Sequence, residues 1–215
     1  MRIAILISGR GSNMMSLVEA ARSPGFPAQV VAVLANRADA AGLAWAAGQG
    51  LKTGVVEHKA YAGRESFEAA LEAALAEHRP DMICLAGFMR VLTAGFVGRW
   101  QGRMINIHPS LLPSYKGLHT HERALADGVR IVGCTVHFVV PEMDAGPIIA
   151  QAAVPVRDGD TAETLGARVL SAEHKLYPHA LRLVASGAAQ LVDGRVRIAA
   201  HESRAQLFSP PLPAE

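Results

Sequence analysis

The chain has 215 residues, a length that suits one α/β domain or at most two small ones. Half of the residues are hydrophobic and 19% are charged, which allows a sizeable core and excludes a disordered chain. The formal net charge is +2, with both signs interspersed and no basic block or stripe, so composition offers no surface for a nucleic acid.

The first half alternates strand-like and helix-like segments. Ile3 to Ile7 is a β-branched run, and Ser8-Gly9-Arg10-Gly11-Ser12 is a turn. Asn13 to Ala21 has helical composition, Val30 to Leu34 is the next strand, and Ala38 to Ala47 is an Ala-rich helix. Thr53 to Val56 is a short third strand, and Glu65 to Glu77 has apolar residues at helical spacing, stopped by Pro80. Met82 to Leu85 and Met104 to Ile107 are the fourth and fifth strands. After Pro109 the pattern changes. Ile131 to Val140 and Ile148 to Val156 are longer strands joined by a turn-rich segment, 141–147. Thr161 to Ala185 is a long helix capped by Asp160 or Thr161, and Asp193-Gly194 marks a hairpin.

This order predicts an α/β fold: a Rossmann-like open, mostly parallel twisted sheet with helices on both faces and antiparallel strands added at the C-terminal side. Ligands of such sheets bind at the carboxyl ends of the strands. The expected organisation is a single domain over residues 1–203, made of two halves (1–105 and 106–203), with a Pro-rich tail (204–215). Cys84 and Cys134 sit in apolar runs and read as buried thiols. The first apolar run is too short for a signal peptide and no stretch is long enough to span a membrane, so the expected location is cytoplasmic, with no membrane partner.

The turn Ser8-Gly9-Arg10-Gly11-Ser12-Asn13 lies between a strand and a helix, where free backbone N–H groups can hold an anion. The dinucleotide fingerprint wants glycine where Met14 stands and an acid near Asn36-Arg37, so a phosphate monoester fits better than NAD. A bare strand-to-helix turn without a ligand is the other reading.

In Asn106-Ile107-His108-Pro109, alternation puts Asn106 and His108 on one side of the strand. A carboxamide and an imidazole at the sheet's carboxyl edge can donate to one developing oxyanion. A carboxylate beside the imidazole favours its charged form, and Asp144 could reach it. A structural Asn, a satisfied His and a solvated Asp are the alternative. His119-Thr120-His121 reads as a helix start or loop rather than a metal site, and His137 as a buried, hydrogen-bonded His adjacent to the site. No metal is expected. The Leu-Leu-Pro turn is compatible with a cis Leu112-Pro113 bond.

Four blocks carry a resemblance to a known family: residues 7–13, Leu85-Ala86-Gly87-Phe88-Met89-Arg90, residues 106–113 and Gly117-Leu118-His119-Thr120-His121. Asp144-Ala145-Gly146-Pro147 and Glu173-His174 add to them. The chain resembles the phosphoribosylglycinamide formyltransferases, folate-dependent enzymes of purine synthesis. The resemblance implies transfer of the formyl group of 10-formyltetrahydrofolate to the amine of glycinamide ribonucleotide. It implies Asn106, His108 and Asp144 as catalytic residues. Gly11, Ser12 and Asn13 would hold the substrate phosphate, and Glu173 and the Pro109 carbonyl the glycinamide part. Met89, Arg90, Val91, Leu92, Val97, Asn106 and the turn Val140, Pro141, Glu142, Met143, Asp144 would form the folate pocket, with Arg64 at the glutamate tail. The implied partners are these two small molecules, and the implied state is a monomer or weak homodimer. Another user of 10-formyltetrahydrofolate is the alternative. A tRNA formyltransferase would need a further RNA-binding domain, and a formyltetrahydrofolate hydrolase normally carries an N-terminal regulatory domain.

Overall fold

A computed structural model describes residues 1–199. The elements run β1 (Arg2–Ile7), α1 (Ser12–Ala21), β2 (Gln29–Ala35), α2 (Ala41–Gly48), β3 (Thr53–Val55), α3 (Arg64–His78), β4 (Met82–Leu85) and α4 (Ala94–Arg99). They continue with β5 (Met104–His108), α5 (Thr120–Ala126), β6 (Ile131–Phe138), β7 (Ile148–Pro155), α6 (Ala162–Ala185), β8 (Ala189–Val192) and β9 (Arg195–Ile198). Seven strands form one sheet in the order β3-β2-β1-β4-β5-β6-β7. Pairing from β3 to β5 is parallel, whereas β5–β6 and β6–β7 are antiparallel, as the change of pattern after Pro109 predicts. The pair β8–β9 is a separate hairpin around Asp193-Gly194.

The parallel strands are apolar on both sides because both sides are covered. Ile3, Ile5 and Ile7 face a core shared with α1, α5 and α6, while Ala4 and Leu6 face one shared with α3 and α4. Truncating one of these fully buried isoleucines to alanine costs about 2–5 kcal/mol. The two cysteines belong to the first core as free thiols, and burial pushes both up to about 12. Thr161 is the N-cap of α6, its hydroxyl accepting from the Thr164 N–H at 3.2 Å.

Of two short helices, α4 escapes the sequence reading, whereas the start of α5 is one of the two readings of His119-Thr120-His121. α4 carries Gly95 and Gly98 within six residues, a composition that disfavours helix. It is held from outside: Glu68 on α3 is buried, accepts the Thr93 N–H at 2.6 Å and also binds the Thr93 hydroxyl, which caps α4. α5 begins one residue after His119, which takes the left-handed conformation at the N-cap. β6 stops at Phe138, two residues short of the predicted Val140, because the chain turns away towards Pro141. The predicted domain end at 203 and the tail 204–215 lie outside the described residues. Among the described residues, no helix is long and apolar enough to cross a membrane.

Candidate active site

The site is built at the carboxyl ends of β1, β4 and β5, with His137 of the antiparallel β6 beside Asn106 and the β6–β7 turn folded over it. After β1 the chain turns through Gly11, whose φ of +72° is left-handed. A Cβ there would also lie 2.9 Å from Met14 Cε. Gly42, at the start of α2, closes the turn from behind: its N–H donates to the Gly9 carbonyl at 3.1 Å. Ser12 and Asn13 open α1, and among the described residues no side chain caps that end. The first N–H groups of α1 are therefore available to an anion. Asn13 is buried, and its Nδ2 donates to Glu173 Oε2 on α6 at 2.6 Å, while Asn13 Oδ1 has no partner among the described residues. Burial raises the Glu173 carboxyl above the usual range, against the opposing effect of the Asn13 bond.

On β5, Asn106 and His108 share a side with Met104, while Ile105 and Ile107 pack into the opposite core. His108 is buried, and its Nε2 donates to the Tyr115 carbonyl at 3.0 Å. Its Nδ1 faces Asp144 Oδ2 at 3.4 Å. Asp144 sits in the β6–β7 turn with a left-handed φ of +50°, and the same oxygen accepts the Gly117 N–H at 2.8 Å. The turn closes on β6 through Gly146, where a Cβ would fall 1.7 Å from the Phe138 carbonyl oxygen. His137 pairs across from Asn106 in the β5–β6 register, and its Nε2 lies 3.3 Å from Asn106 Nδ2 and 3.9 Å from Asp144 Oδ1. A carboxamide, two imidazoles and a carboxylate thus converge on one point.

The formyl transferase family profile matches residues 1–181. The chain belongs to the formyl transferase family. It is 43% identical over 215 residues to the phosphoribosylglycinamide formyltransferase of Escherichia coli (strain K12), covering all of this chain and 97% of that one. It is 53% identical over 196 residues to the trifunctional purine biosynthetic protein adenosine-3 of Bos taurus, covering 91% of this chain but 19% of that protein. The chain therefore spans about a fifth of the length of the trifunctional relative. Its fold superposes on the crystal structure of glycinamide ribonucleotide transformylase 1 from Symbiobacterium toebii with a TM-score of 0.90 at 44% identity, covering 93% and 94% of the two chains.

Within this formyl transferase, the loop after β4 is tied to the end of β1. The Ser8 N–H donates to the Gly87 carbonyl at 3.0 Å, and the Ser8 hydroxyl accepts the Met89 N–H at 2.7 Å and donates to Asn36 Oδ1 at 2.6 Å. Asn36 stands near the place where a dinucleotide site would carry an acid. Met89, Arg90 and Val91 are exposed on this loop, whereas Leu92 and Val97 are buried with Phe88 and Phe96 in the α3–α4 core. Val140 is half-buried, Pro141, Glu142 and Met143 are exposed, and Lys116 Nζ bonds Glu142 at 3.2 Å. Pro109 is half-buried directly after His108, and Arg64 is exposed at the first position of α3. The structure joins Asn106, His108 and Asp144 in one cluster and Asn13 with Glu173 in another. Among the other site residues, Ser8 belongs to the Gly-rich turn but has no role assigned there, and the Tyr115 carbonyl and Gly117 N–H are backbone groups that no residue type announces.

His119 is exposed and 3.6 Å from Glu122, and His121 packs on Gly166 of α6. Among the described residues, no group of three or more His, Cys, Asp or Glu is placed to hold a metal. The peptide Leu112-Pro113 is cis. Two surface grooves, of about 540 Å³ between α3 and α4 and about 580 Å³ between α1 and α6, lie elsewhere, although Ser12 lines the second. Neither contains Asn106, His108 or Asp144, so the chemistry of the side chains, not cavity size, locates the site.

Burial lowers the affinity of His121, His137 and His174 for protons. A group depressed in the folded state stabilises the fold above its unfolded value, about 6.5 for histidine, and loses that contribution as pH falls through the folded value. Thermal unfolding should therefore occur at progressively lower temperature as pH drops from 7 to 5. His174→Gln should flatten the dependence. An unchanged pH slope in that variant would assign the effect to other groups.

Proposed function

We propose that this formyl transferase moves the formyl group of 10-formyltetrahydrofolate to the amine of glycinamide ribonucleotide, giving formylglycinamide ribonucleotide and tetrahydrofolate in purine synthesis. The observation that carries the reading is the contact of Asn106, His108 and Asp144 at the strand ends, beside a helix start open to a phosphate. The neutral amine adds to the formyl carbon, forming the new C–N bond through a tetrahedral intermediate. The bond from that carbon to folate N10 then breaks, and a proton passes from the amine to N10.

Asn106 donates to the developing oxyanion from Nδ2. His108 has Asp144 facing its Nδ1 and, in its charged form, brings positive charge to the same oxygen. Asp144 orients that ring and lies where it can guide the proton through water. Gly11, Ser12 and Asn13 hold the phosphate, with Glu173 and the Pro109 carbonyl at the glycinamide end. Met89, Arg90, Val91 and Leu92, with Val97 supporting them from the core, form one wall of the folate pocket. Val140, Pro141, Glu142 and Met143 form another, and Arg64 meets the glutamate tail. No resident metal enters this mechanism.

The purified protein, given both substrates and followed by folate absorbance, should release tetrahydrofolate only when the ribonucleotide is present. Release of formate without the ribonucleotide would identify a hydrolase instead. Gly11→Val forces a side chain into a left-handed turn, 2.9 Å from Met14 Cε at its first atom. It should raise the ribonucleotide KM about tenfold or more, as expected for loss of a charge-assisted contact, and leave folate KM nearly intact. Equal losses for both substrates would show general damage rather than a phosphate turn.

A further inference from the structure

We propose that His137 is a positioning residue that fixes which way the Asn106 amide faces and so presents its second N–H to the reacting carbonyl. This rests on the formyl-transfer reading above. His137 is 3% exposed, and the mechanism as derived makes no use of it. Its Nδ1 lies 2.9 Å from the Phe138 carbonyl, which can only accept, so Nδ1 carries the proton. Nε2 is then a bare acceptor. The nearest group to it is Asn106 Nδ2 at 3.3 Å, one strand across.

An amide nitrogen has two hydrogens and an amide oxygen has none. A bare Nε2 therefore accepts one end of the Asn106 side chain and rejects the other. With one hydrogen engaged, the second is left for the oxyanion. Reversed, the same amide would turn its carbonyl oxygen towards a developing negative charge, and a donor would become a repulsive group. Two features keep the ring in this state. Burial disfavours the imidazolium, which would put a donor at Nε2. The ring is also locked in place: the sheet register shifts beside it, between Val136 and His137, and a Cβ at Gly146 would lie 3.3 Å from Nδ1. Asp144 Oδ1, at 3.9 Å, is the competing acceptor for a proton on Nε2.

The test has two arms. Imidazole 15N shifts read the tautomer directly, and should show Nδ1 protonated and Nε2 bare; a proton on Nε2 at neutral pH would overturn the inference whatever the substrate. In the second arm, His137→Leu should lower kcat about tenfold, the scale of one hydrogen bond, with both KM values little changed. His137→Gln, which can offer an oxygen acceptor, should recover most of that loss. In an Asn106→Ala background, His137→Leu should lower kcat no further. Equal loss in both backgrounds, or no rescue by Gln, would reduce His137 to a packing residue. Absence of formyl transfer in the wild type would instead defeat the reaction assignment and leave the tautomer arm to decide the Asn106–His137 pairing.

Discussion

Asp144→Asn should lower kcat by about 10²–10³-fold while the affinity for a non-reacting folate analogue changes little. The substitution keeps the shape of the side chain and its place in the left-handed turn, so the Gly117 N–H retains an acceptor. It removes the negative charge 3.4 Å from His108 Nδ1, where both side chains are largely buried. A charge interaction in such surroundings is screened far less than on the surface. The loss should fall on the step in which an oxyanion forms, hence on kcat. Rate should still rise with pH as the attacking amine loses its proton, so the diagnostic quantity is the variant's ratio to wild type at one pH. Near-normal kcat in Asp144→Asn would remove Asp144 from the mechanism.

Gly146→Ala should be nearly as damaging for a different reason. A methyl there would stand 1.7 Å from the Phe138 carbonyl oxygen, more than 1 Å inside the 3.0 Å that real Cβ contacts respect. The obstacle is backbone and cannot rotate away. The turn must lift off β6 and carry Asp144 with it. Misplacement of a catalytic group by about 1 Å costs on the order of 10²-fold in rate. Overpacking of this kind costs about 1–3 kcal/mol, which for a chain of this size lowers Tm by several degrees, roughly 2–4 °C per kcal/mol. Kinetics and a melting curve on one preparation would show both. Wild-type kcat would mean that the turn tolerates the lift and that Asp144 is positioned by Gly117 alone.

The sheet was legible because its strands obey a simple rule: Ile3 to Ile7 and Met82 to Leu85 are apolar without alternation, as strands covered on both sides must be. α4 was not, since its stability resides in Glu68, a residue of another helix that accepts from Thr93. The side-by-side placement of Asn106 and His108 follows from strand alternation alone. Their meeting with Asp144 does not, because it depends on a turn folding back over β6; the sequence offers Asp144 as a carboxylate within reach, beside the alternative of a solvated Asp. The resemblance places Leu92 and Val97 at the folate pocket, and their side chains lie in the core beneath the loop. The Tyr115 carbonyl against His108 had no signal in the sequence, for every residue has a carbonyl.

The Asn13–Glu173 bond joins residues 160 positions apart, and a second tie reaches nearly as far: the Tyr177 hydroxyl bonds the Leu85 carbonyl at 2.9 Å and is 3.2 Å from that of Ile105. α6 therefore ties the Gly-rich turn at the start of α1 to β4 and β5. A ribosome delivers α1 to β5 long before it delivers this helix. Until residues 173–177 have left the exit tunnel, the nascent sheet is held by its strand pairing and the Ser8 bonds, without the ties from α6. On the formyl-transfer reading, a chain stalled on the ribosome before that point is expected to be inactive.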